Sequence, residues 1–251
     1  MARPKNIVVT GANRGIGLEL VKQLITKFNP DNIFATYRDP ENSKDLLQLA
    51  SQNGNLHAVI LDVRDTDKYA DFVTNVESTT QGAGINLLIN NSGFFNKENN
   101  TSLSQLDKAD LMYHFEINTL APMMLTKAFL PLLEKGSKAN GSQPLGIGRA
   151  AVLQVSTNMG SIGDNTSGGA YGYRISKTAL NQASKNMSLD LLPKGILVIP
   201  LHPGWVKTDM GGSNALITTE ECVTGILSVL ENLNEDTNGH FMRFDGKEAL
   251  W

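Results

Sequence analysis

The sequence has almost none of the residues that hold disulfide-rich or metal-binding proteins together. Cys222 is its one cysteine, so no internal disulfide can form. The four histidines are scattered along the chain and do not have the spacing of metal ligands. We therefore expect neither a disulfide framework nor a metal site.

Long runs of one residue type are also missing. No apolar segment approaches the length of a transmembrane helix, and the longest apolar run in the first ten residues has three residues, too few for a signal peptide. The formal net charge is −3, and no cluster of lysine and arginine is long enough to bind a nucleic acid or a membrane surface. We expect a cytoplasmic protein whose partners are small molecules, not nucleic acids or membranes.

What the sequence does contain is an alternation of short apolar runs and helical patterns. Hydrophobic residues make up 41% of the chain, enough for a sizeable core. Between the first two runs, Ile16, Leu20, Leu24 and Phe28 have helical spacing, and amphipathic stretches separate most later runs. The expected strands are 5–10, 32–37, 56–62, 85–90, 150–156, 195–201 and 240–244. This order predicts a single α/β domain over residues 1–251, with a doubly wound parallel sheet of about seven strands and helices on both faces.

A glycine-rich segment, TGANRGIG at 10–17, follows the first expected strand and begins the first expected helix. Glycine permits a tight turn and close backbone approach, and the free N–H groups at a helix N-terminus attract phosphate. The segment predicts a turn that binds the pyrophosphate of a dinucleotide, although its spacing is GxxxGxG rather than GxGxxG. The alternative is that these glycines only end a strand. The candidate binding residues are Gly11, Asn13, Arg14, Gly15, Ile16 and Gly17.

The end of the second expected strand bears on which dinucleotide binds. Many NAD-binding folds have an acidic residue about 20 positions after the glycines, where it accepts hydrogen bonds from the adenosine ribose. Here Arg38 occupies that region, and Asp39 follows it before a proline, where it can begin a turn instead. Arg38 and Arg14 can together bind a 2′-phosphate, because paired guanidinium groups suit a phosphate dianion. We predict NADP rather than NAD, with solvated surface arginines as the competing interpretation.

The segment YGYRISK, 171–177, has two tyrosines, and only Tyr173 has a lysine four positions later, at Lys177. On a helix these positions are neighbours, so the ammonium can approach the phenol. A nearby cation lowers the pKa of a tyrosine, and such a phenol would exchange protons near neutral pH. The alternative is a solvated pair on a surface helix.

Further motifs follow in order: LDV at 61–63, NNSG at 90–93, Asn118, and PGWVKT at 203–208. With TGANRGIG and YRISK, they make nearly the whole chain resemble the short-chain dehydrogenase/reductase family. Within the family it looks most like the sniffer-type carbonyl reductases, judging by PLLEKGSKANGSQPLGIGRAA, PLHPGWVKTDMGGS and the final Trp251. The resemblance implies a Rossmann-type fold and an oxidoreductase that uses NADP(H).

The resemblance also implies roles for individual residues. Tyr173 is the catalytic acid, Lys177 is its partner and binds the nicotinamide ribose, and Asn118 belongs to the same catalytic set. The other implied cofactor contacts are Asp62 and Val63 at the adenine, Asn90, Asn91, Ser92 and Gly93 beside the cofactor, and Pro203, Gly204, Val206 and Thr208 around the nicotinamide carboxamide. Position 92 is serine where the family usually has alanine.

The hydroxyl that polarises the substrate carbonyl is open between two residues. The family register puts Thr157 where a serine is usual, and Ser156 directly precedes it. Successive strand residues face opposite sides of a sheet, so we expect one of the two to face the nicotinamide. Thr157 is our prediction and Ser156 is the alternative.

Two expectations concern the segment 106–134, which is patterned as one long helix. Pro122 has no N–H to donate to the carbonyl of Asn118, so we expect that carbonyl to hold a water that links Lys177 to solvent. The alternative is that Pro122 only begins a second helical segment. In the family, this helix and 171–192 often form a dimer surface, so a homodimer is one expected assembly.

The motifs favour reduction of carbonyl compounds (aldehydes, ketones or quinones) by NADPH, with Tyr173 as the proton donor. Two other functions are open. The same residues can oxidise an alcohol or a hydroxysteroid, since no motif sets the direction. The second alternative function is a regulator that binds NADPH without turning it over, although such a protein would not need the tyrosine, lysine and asparagine together.

Overall fold

Seven strands form one sheet at the centre of the protein in a computed structural model, which describes residues 3–97 and 102–251. The strands are β1 (Asn6–Val9), β2 (Asn32–Tyr37), β3 (Leu56–Ile60), β4 (Leu87–Asn90), β5 (Ala151–Val155), β6 (Leu197–His202) and β7 (Met242–Arg243). Every neighbouring pair is parallel. Each strand falls on one of the seven expected runs, because runs of apolar residues suit strands that are buried on both faces.

Helices cover both faces of the sheet, which confirms the predicted doubly wound fold. The helices are α1 (Gly15–Phe28), α2 (Lys44–Gln52), α3 (Tyr69–Thr79), α4 (Lys108–Phe115), α5 (Ala121–Ala139), α6 (Tyr171–Leu191) and α7 (Thr219–Glu231). One apolar core packs α1, α2 and α7 against the sheet, and the other packs α3, α5 and the end of α6. In the second core the rings of Phe72 and Phe129 meet edge to face, 5.1 Å apart. Within the described residues, no helix has both the length and the apolar character needed to cross a membrane.

The strand order indicates where a ligand site is expected in this fold. It is β3-β2-β1-β4-β5-β6-β7, so the chain builds outward from β1 in one direction and then returns to build outward from β4 in the other. In open α/β sheets, ligands bind in the crevice at the carboxyl ends of the strands where the order reverses. The crevice here lies beyond the ends of β1 and β4.

The helix expected over 106–134 is interrupted. A π-helical segment, Glu116–Leu120, joins α4 to α5, and the Ala121 N–H bonds the carbonyl of Glu116, five residues earlier. Pro122 lies in the first turn of α5, where a proline is tolerated. At its other end α5 continues through Gly136 to Ala139. Gly136 packs on the sheet there: a β carbon at this position would lie 2.1 Å from the Ile85 carbonyl oxygen.

Candidate active site

A cavity of about 980 Å³ opens at this crevice. Its walls come from the loops that follow the strands and from the first turns of α1 and α6. Seventeen of the predicted site residues line it: Gly11, Asn13, Arg14, Gly15, Ile16, Gly17, Arg38, Asp62, Val63, Asn91, Ser92, Gly93, Ser156, Tyr173, Lys177, Pro203 and Thr208. Such a volume is typical of a small-molecule or cofactor site.

The glycine turn after β1, in the wall of the cavity, is shaped for close contact. Gly11 and Gly15 have φ of +61° and +54°, which favour glycine. A β carbon on Gly17 would lie 2.1 Å from the Gly11 carbonyl oxygen, so the turn closes only around glycine. The first turn of α1 has no side-chain cap and no acidic residue. Its N–H groups and its dipole therefore suit a phosphate group.

The arginines beside the turn are exposed. The Arg14 side chain is 68% exposed and forms an ion pair with Asp209, in the loop after β6. Arg38 is 66% exposed, and its Nη1 lies 4.0 Å from Asp62 Oδ2. Asp39 accepts a hydrogen bond from the Glu41 N–H at 3.0 Å and begins a 3₁₀ turn, as its position before a proline suggested. This end of the cavity thus offers two cations to an anionic ligand.

Arg64, which the sequence analysis did not identify, holds the carboxylate of Asp62. Its Nε and Nη2 donate to the two carboxylate oxygens at 3.2 and 2.8 Å. These bonds hold the pKa of Asp62 below its usual range, with Arg38 adding a smaller effect. The guanidinium also lies 5.1 Å from the ring centre of Tyr113, another residue of the cavity wall. Asp62 is therefore a fixed, charged acceptor at the end of β3.

The other end of the cavity contains Tyr173 and Lys177, one turn apart on α6 and both buried. Thr157 hydrogen-bonds the Tyr173 phenol through its side chain. Lys177 Nζ donates to the Val155 carbonyl at 2.8 Å. Ser156 Oγ instead donates to Asn181 Oδ1 at 2.5 Å, so its hydroxyl is directed at α6. The hydroxyl beside the phenol is that of Thr157.

Burial controls the acidity of this pair. It raises the pKa of Tyr173 to about 12, against a smaller opposite effect of the Thr157 hydrogen bond. It also lowers the pKa of Lys177 to about 7. The expectation that Lys177 makes the phenol more acidic is therefore wrong, because removal from water disfavours the charged form of both groups.

Asn118 lies outside the cavity wall and organises the loop after β4. It is fully buried in the π-helical segment. Its Oδ1 accepts from the Phe94 N–H at 2.8 Å, and its Nδ2 donates to the Phe94 carbonyl at 2.9 Å and to Ser176 Oγ at 3.0 Å. The side chain thus ties the loop after β4 to α6.

Three other predicted cofactor residues also lie behind the wall. Asn90 Nδ2 donates to Thr126 Oγ1 at 3.1 Å, so its side chain packs against α5. Val206 is buried and bridges to Ile217, and a β carbon on Gly204 would lie 2.7 Å from an Ile217 carbon. These residues shape the loops whose neighbours, such as Asn91 and Thr208, reach the cavity.

Several cavity residues were missed by the sequence analysis. Among them, Tyr113 and Ile117 come from α4 and the π-helical segment. The sequence motifs give no spacing for them, because residues on different helices become neighbours only through the fold. Within the described ranges, no three His, Cys, Asp or Glu side chains come together as metal ligands.

Comparisons with known proteins agree with this geometry. The family model "short chain dehydrogenase" matches residues 5–216. The carbonyl reductase Sniffer of D. melanogaster is 42% identical, with a TM-score of 0.95 over 98% of this chain and 99% of that one. An NADPH-bound carbonyl reductase from chicken fatty liver is 38% identical, with a TM-score of 0.93 over 99% of this chain and 100% of that one.

One relative carries a different kind of name. The C-signal protein of Myxococcus xanthus is 40% identical over 180 residues, which are 72% of this chain and 98% of that protein. The family match spans most of the chain and agrees with the strand order and the motifs. The chain therefore belongs to the short-chain dehydrogenase family, and its similarity to Sniffer-type carbonyl reductases is confirmed.

Proposed function

We propose that the protein reduces aldehydes, ketones or quinones with NADPH as the hydride donor. One observation carries the proposal: a buried Tyr173 phenol, bonded to Thr157 and one turn from buried Lys177, lines the same cavity as the glycine turn. The similarity to two carbonyl reductases, one of them with NADPH bound, supports it.

The cavity residues fit NADPH by their chemistry. The uncapped first turn of α1 suits the pyrophosphate, and Arg14 and Arg38 suit the 2′-phosphate that distinguishes NADPH from NADH. Asp62 and Val63 line the part of the cavity we assign to the adenine. Bound NADPH would supply the hydride, and the protein must bind, orient and protonate.

The raised pKa of Tyr173 suits the role of proton donor in reduction. A phenol whose pKa is raised to about 12 is protonated at neutral pH, so it can donate a proton to a carbonyl oxygen. Oxidation of an alcohol would need the same phenol as a base. Thr157 donates the second hydrogen bond that polarises the carbonyl. Lys177, with its pKa near 7, can accept and release protons at the pH of the cell.

Proton return is the remaining step. Pro122 has no N–H, and the donor that it lacks would bond the carbonyl of Asn118 in an α-helix or that of Ile117 in a π-helix. We propose that a water on the Asn118 carbonyl returns the proton through Lys177 to Tyr173. The interrupted helix beside this residue supports the idea.

The function is tested with purified protein, NADPH, and a panel of quinones, aldehydes and diketones, by following the loss of NADPH absorbance. We expect turnover of several members, and turnover about 10²- to 10⁴-fold lower with a Tyr173→Phe control that still binds NADPH. Tight binding of NADPH without consumption of any carbonyl would identify a regulator instead. Turnover of alcohols with NADP⁺, with no reduction of carbonyls, would reverse the assigned direction.

Three further expectations from the sequence stay predictions. They are a cytoplasmic location, a single domain over residues 1–251, and a homodimer that uses the helices between 106 and 134 and between 171 and 192. Size-exclusion chromatography with light scattering would measure the subunit count. Limited proteolysis that yields one resistant core would support the single domain.

A further inference from the structure

The ring of Phe95 is stacked on the ring of Tyr173. The two ring centres are 4.5 Å apart and the planes differ by 27°. Phe95 is half-buried and does not line the cofactor cavity, whereas its neighbour Phe94 does. Phe95 therefore covers the proton donor from outside that cavity.

The backbone on both sides of Phe95 is anchored. Before it, the N–H and the carbonyl of Phe94 both bond the Asn118 side chain, at 2.8 and 2.9 Å. After it, the Asn96 N–H bonds His114 Nε2 at 3.2 Å, and Asn96 Nδ2 donates to Asp110 Oδ1 at 2.8 Å. A side chain between two such anchors has little freedom to move off its partner.

The two neighbouring phenylalanines have separate contacts. The Phe94 ring lies against α4, with its centre 4.7 Å from the ring of Tyr113 and 4.8 Å from that of His114. His114 is itself buried. Because Phe94 is held against α4, the next side chain along the loop is the one directed at Tyr173.

We propose that Phe95 is a positioning residue for the proton donor: its ring fixes the plane of the Tyr173 phenol and excludes water from it. Stacked aromatic rings attract each other beyond their shared burial, so the contact selects one ring orientation. Proton transfer requires the donor within hydrogen-bond reach of the carbonyl oxygen, and a small misplacement is costly. The inference rests on the proposed function of Tyr173 as that donor.

The acidity of Tyr173 offers a second way to observe this contact. Burial is the main cause of its raised pKa, so removal of the covering ring should admit water and lower the pKa. The titratable groups that face this region are Lys177 on α6 and, on α4, His114, whose ring packs against Gly172, with its ion-pair partner Asp110. A substitution at Phe95 removes none of these three groups.

The test compares two substitutions at one position. Phe95→Leu keeps an apolar cover and loses the flat ring, whereas Phe95→Ala loses both. We expect kcat to fall about three- to tenfold in Phe95→Leu and further in Phe95→Ala. The Kd for NADPH should stay within about twofold, because Phe95 lies outside the cofactor cavity. Ile175→Ala, at an exposed position on the same helix, is the control and should leave kcat unchanged.

An alkaline titration of tyrosine absorbance measures the second effect without turnover. Each protein is compared with its Tyr173→Phe counterpart, so that the difference reports this phenol alone. We expect Tyr173 to ionise at lower pH in Phe95→Ala than in the wild type, with Phe95→Leu close to the wild type.

Either of two results overturns the proposal: an unchanged kcat in Phe95→Leu, or an unchanged Tyr173 titration in folded Phe95→Ala. If the alanine variant does not fold, the kcat of the leucine variant decides. A wild-type protein that reduces no carbonyl would refute the proposed function instead, and the titration would still measure whether Phe95 shields the phenol.

Discussion

The two ends of the cavity are built in opposite ways. At the phosphate end, the arginines are exposed and paired with acidic side chains at the surface: Arg14 is 68% exposed, and its partner Asp209 is 75% exposed. At the catalytic end, Tyr173 and Lys177 are 9% and 3% exposed, and their polar atoms bond Thr157 and the Val155 carbonyl. Charge is presented to solvent at one end and removed from it at the other.

This difference has an energetic meaning. Exposed ion pairs contribute about 0–1 kcal/mol to stability, so the phosphate end can exchange one partner for another at small cost. A buried amine whose pKa is lowered from 10.5 to about 7 destabilises the fold at any pH below about 10.5, because the unfolded chain binds the proton more tightly than the folded one. The protein therefore gives up stability at this end of the cavity, where the proposed proton return needs an amine near its point of titration.

The largest expected effect is at the buried end. Tyr173→Phe should lower turnover by about 10²- to 10⁴-fold, the usual loss when a general acid is removed. NADPH affinity should stay nearly intact, since the substitution removes one oxygen. Steady-state kinetics and a fluorescence titration with NADPH measure the two quantities. Tyr171→Phe is the matched control and should leave turnover nearly unchanged. A large loss of turnover in Tyr171→Phe would refute the assignment of Tyr173 as the proton donor.

Lys177→Met should make the protein inactive and more stable at pH 7, by roughly 2–4 kcal/mol. The unfolded chain binds more protons than the folded one between the folded pKa of about 7 and the unfolded value of 10.5, so wild-type stability rises with pH across that window. The advantage of the variant should therefore shrink as the pH rises toward 10.

Denaturant unfolding at several pH values measures this trend. Arg14→Met removes an exposed ion pair and is the control. Its effect should stay below about 1 kcal/mol and show no such pH trend. A Lys177→Met protein that is less stable than the wild type at pH 7 would contradict the cost assigned to this buried amine.

Arg38→Asp addresses the exposed end. It replaces a cation beside Asp62 with a second carboxylate, so it should raise the KM for NADPH about 10- to 100-fold more than the KM for NADH. Parallel kinetics with the two cofactors give the ratio. Arg3→Asp, at an arginine that pairs with Asp31 outside the cavity, should leave the ratio unchanged. Equal effects of Arg38→Asp on both cofactors would remove this residue from the site.

The smallest expected effect is at Pro122. Pro122→Ala restores an N–H in the first turn of α5, which would compete with the proposed water for a backbone carbonyl. Turnover should fall about fivefold, the effect of one hydrogen bond, with a larger solvent isotope effect and unchanged NADPH binding. A folded variant with normal turnover and a normal isotope effect would leave Pro122 as only the start of α5.

The sequence was sufficient for the sheet, and its motifs include seventeen of the residues that line the cavity. Strands buried on both faces must be continuous apolar runs, and the glycine turn and YRISK follow such runs at fixed distances. The acidity of Tyr173 could not be predicted in this way. The spacing of Tyr173 and Lys177 identifies neighbours on a helix, but it does not tell how much water reaches them, and here burial reverses the expected shift.

Other parts depended on contacts between distant segments. Asn90 and Asn91 are adjacent in one motif, yet one side chain packs against α5 and the other lines the cavity. Phe95 contacts Tyr173 from a loop whose neighbouring residues are held by Asn118 and His114. The π-helical segment could not be predicted from the sequence, because one extra residue in a turn barely changes a helical pattern of apolar residues.

The π-helical segment Glu116–Leu120 contains one residue more than an α-helical turn, and this residue changes which side of α4 is aligned with a given side of α5. Removal of one residue from Glu116–Leu120 would convert the segment to a regular α-helix and rotate α4 by about 100° relative to α5. Tyr113 and His114 would then turn away from Phe94, while α5 kept its place on the sheet. The π-helical segment therefore lets α5 direct its apolar side at the core while α4 directs Tyr113 and His114 at the loop that contains Phe95.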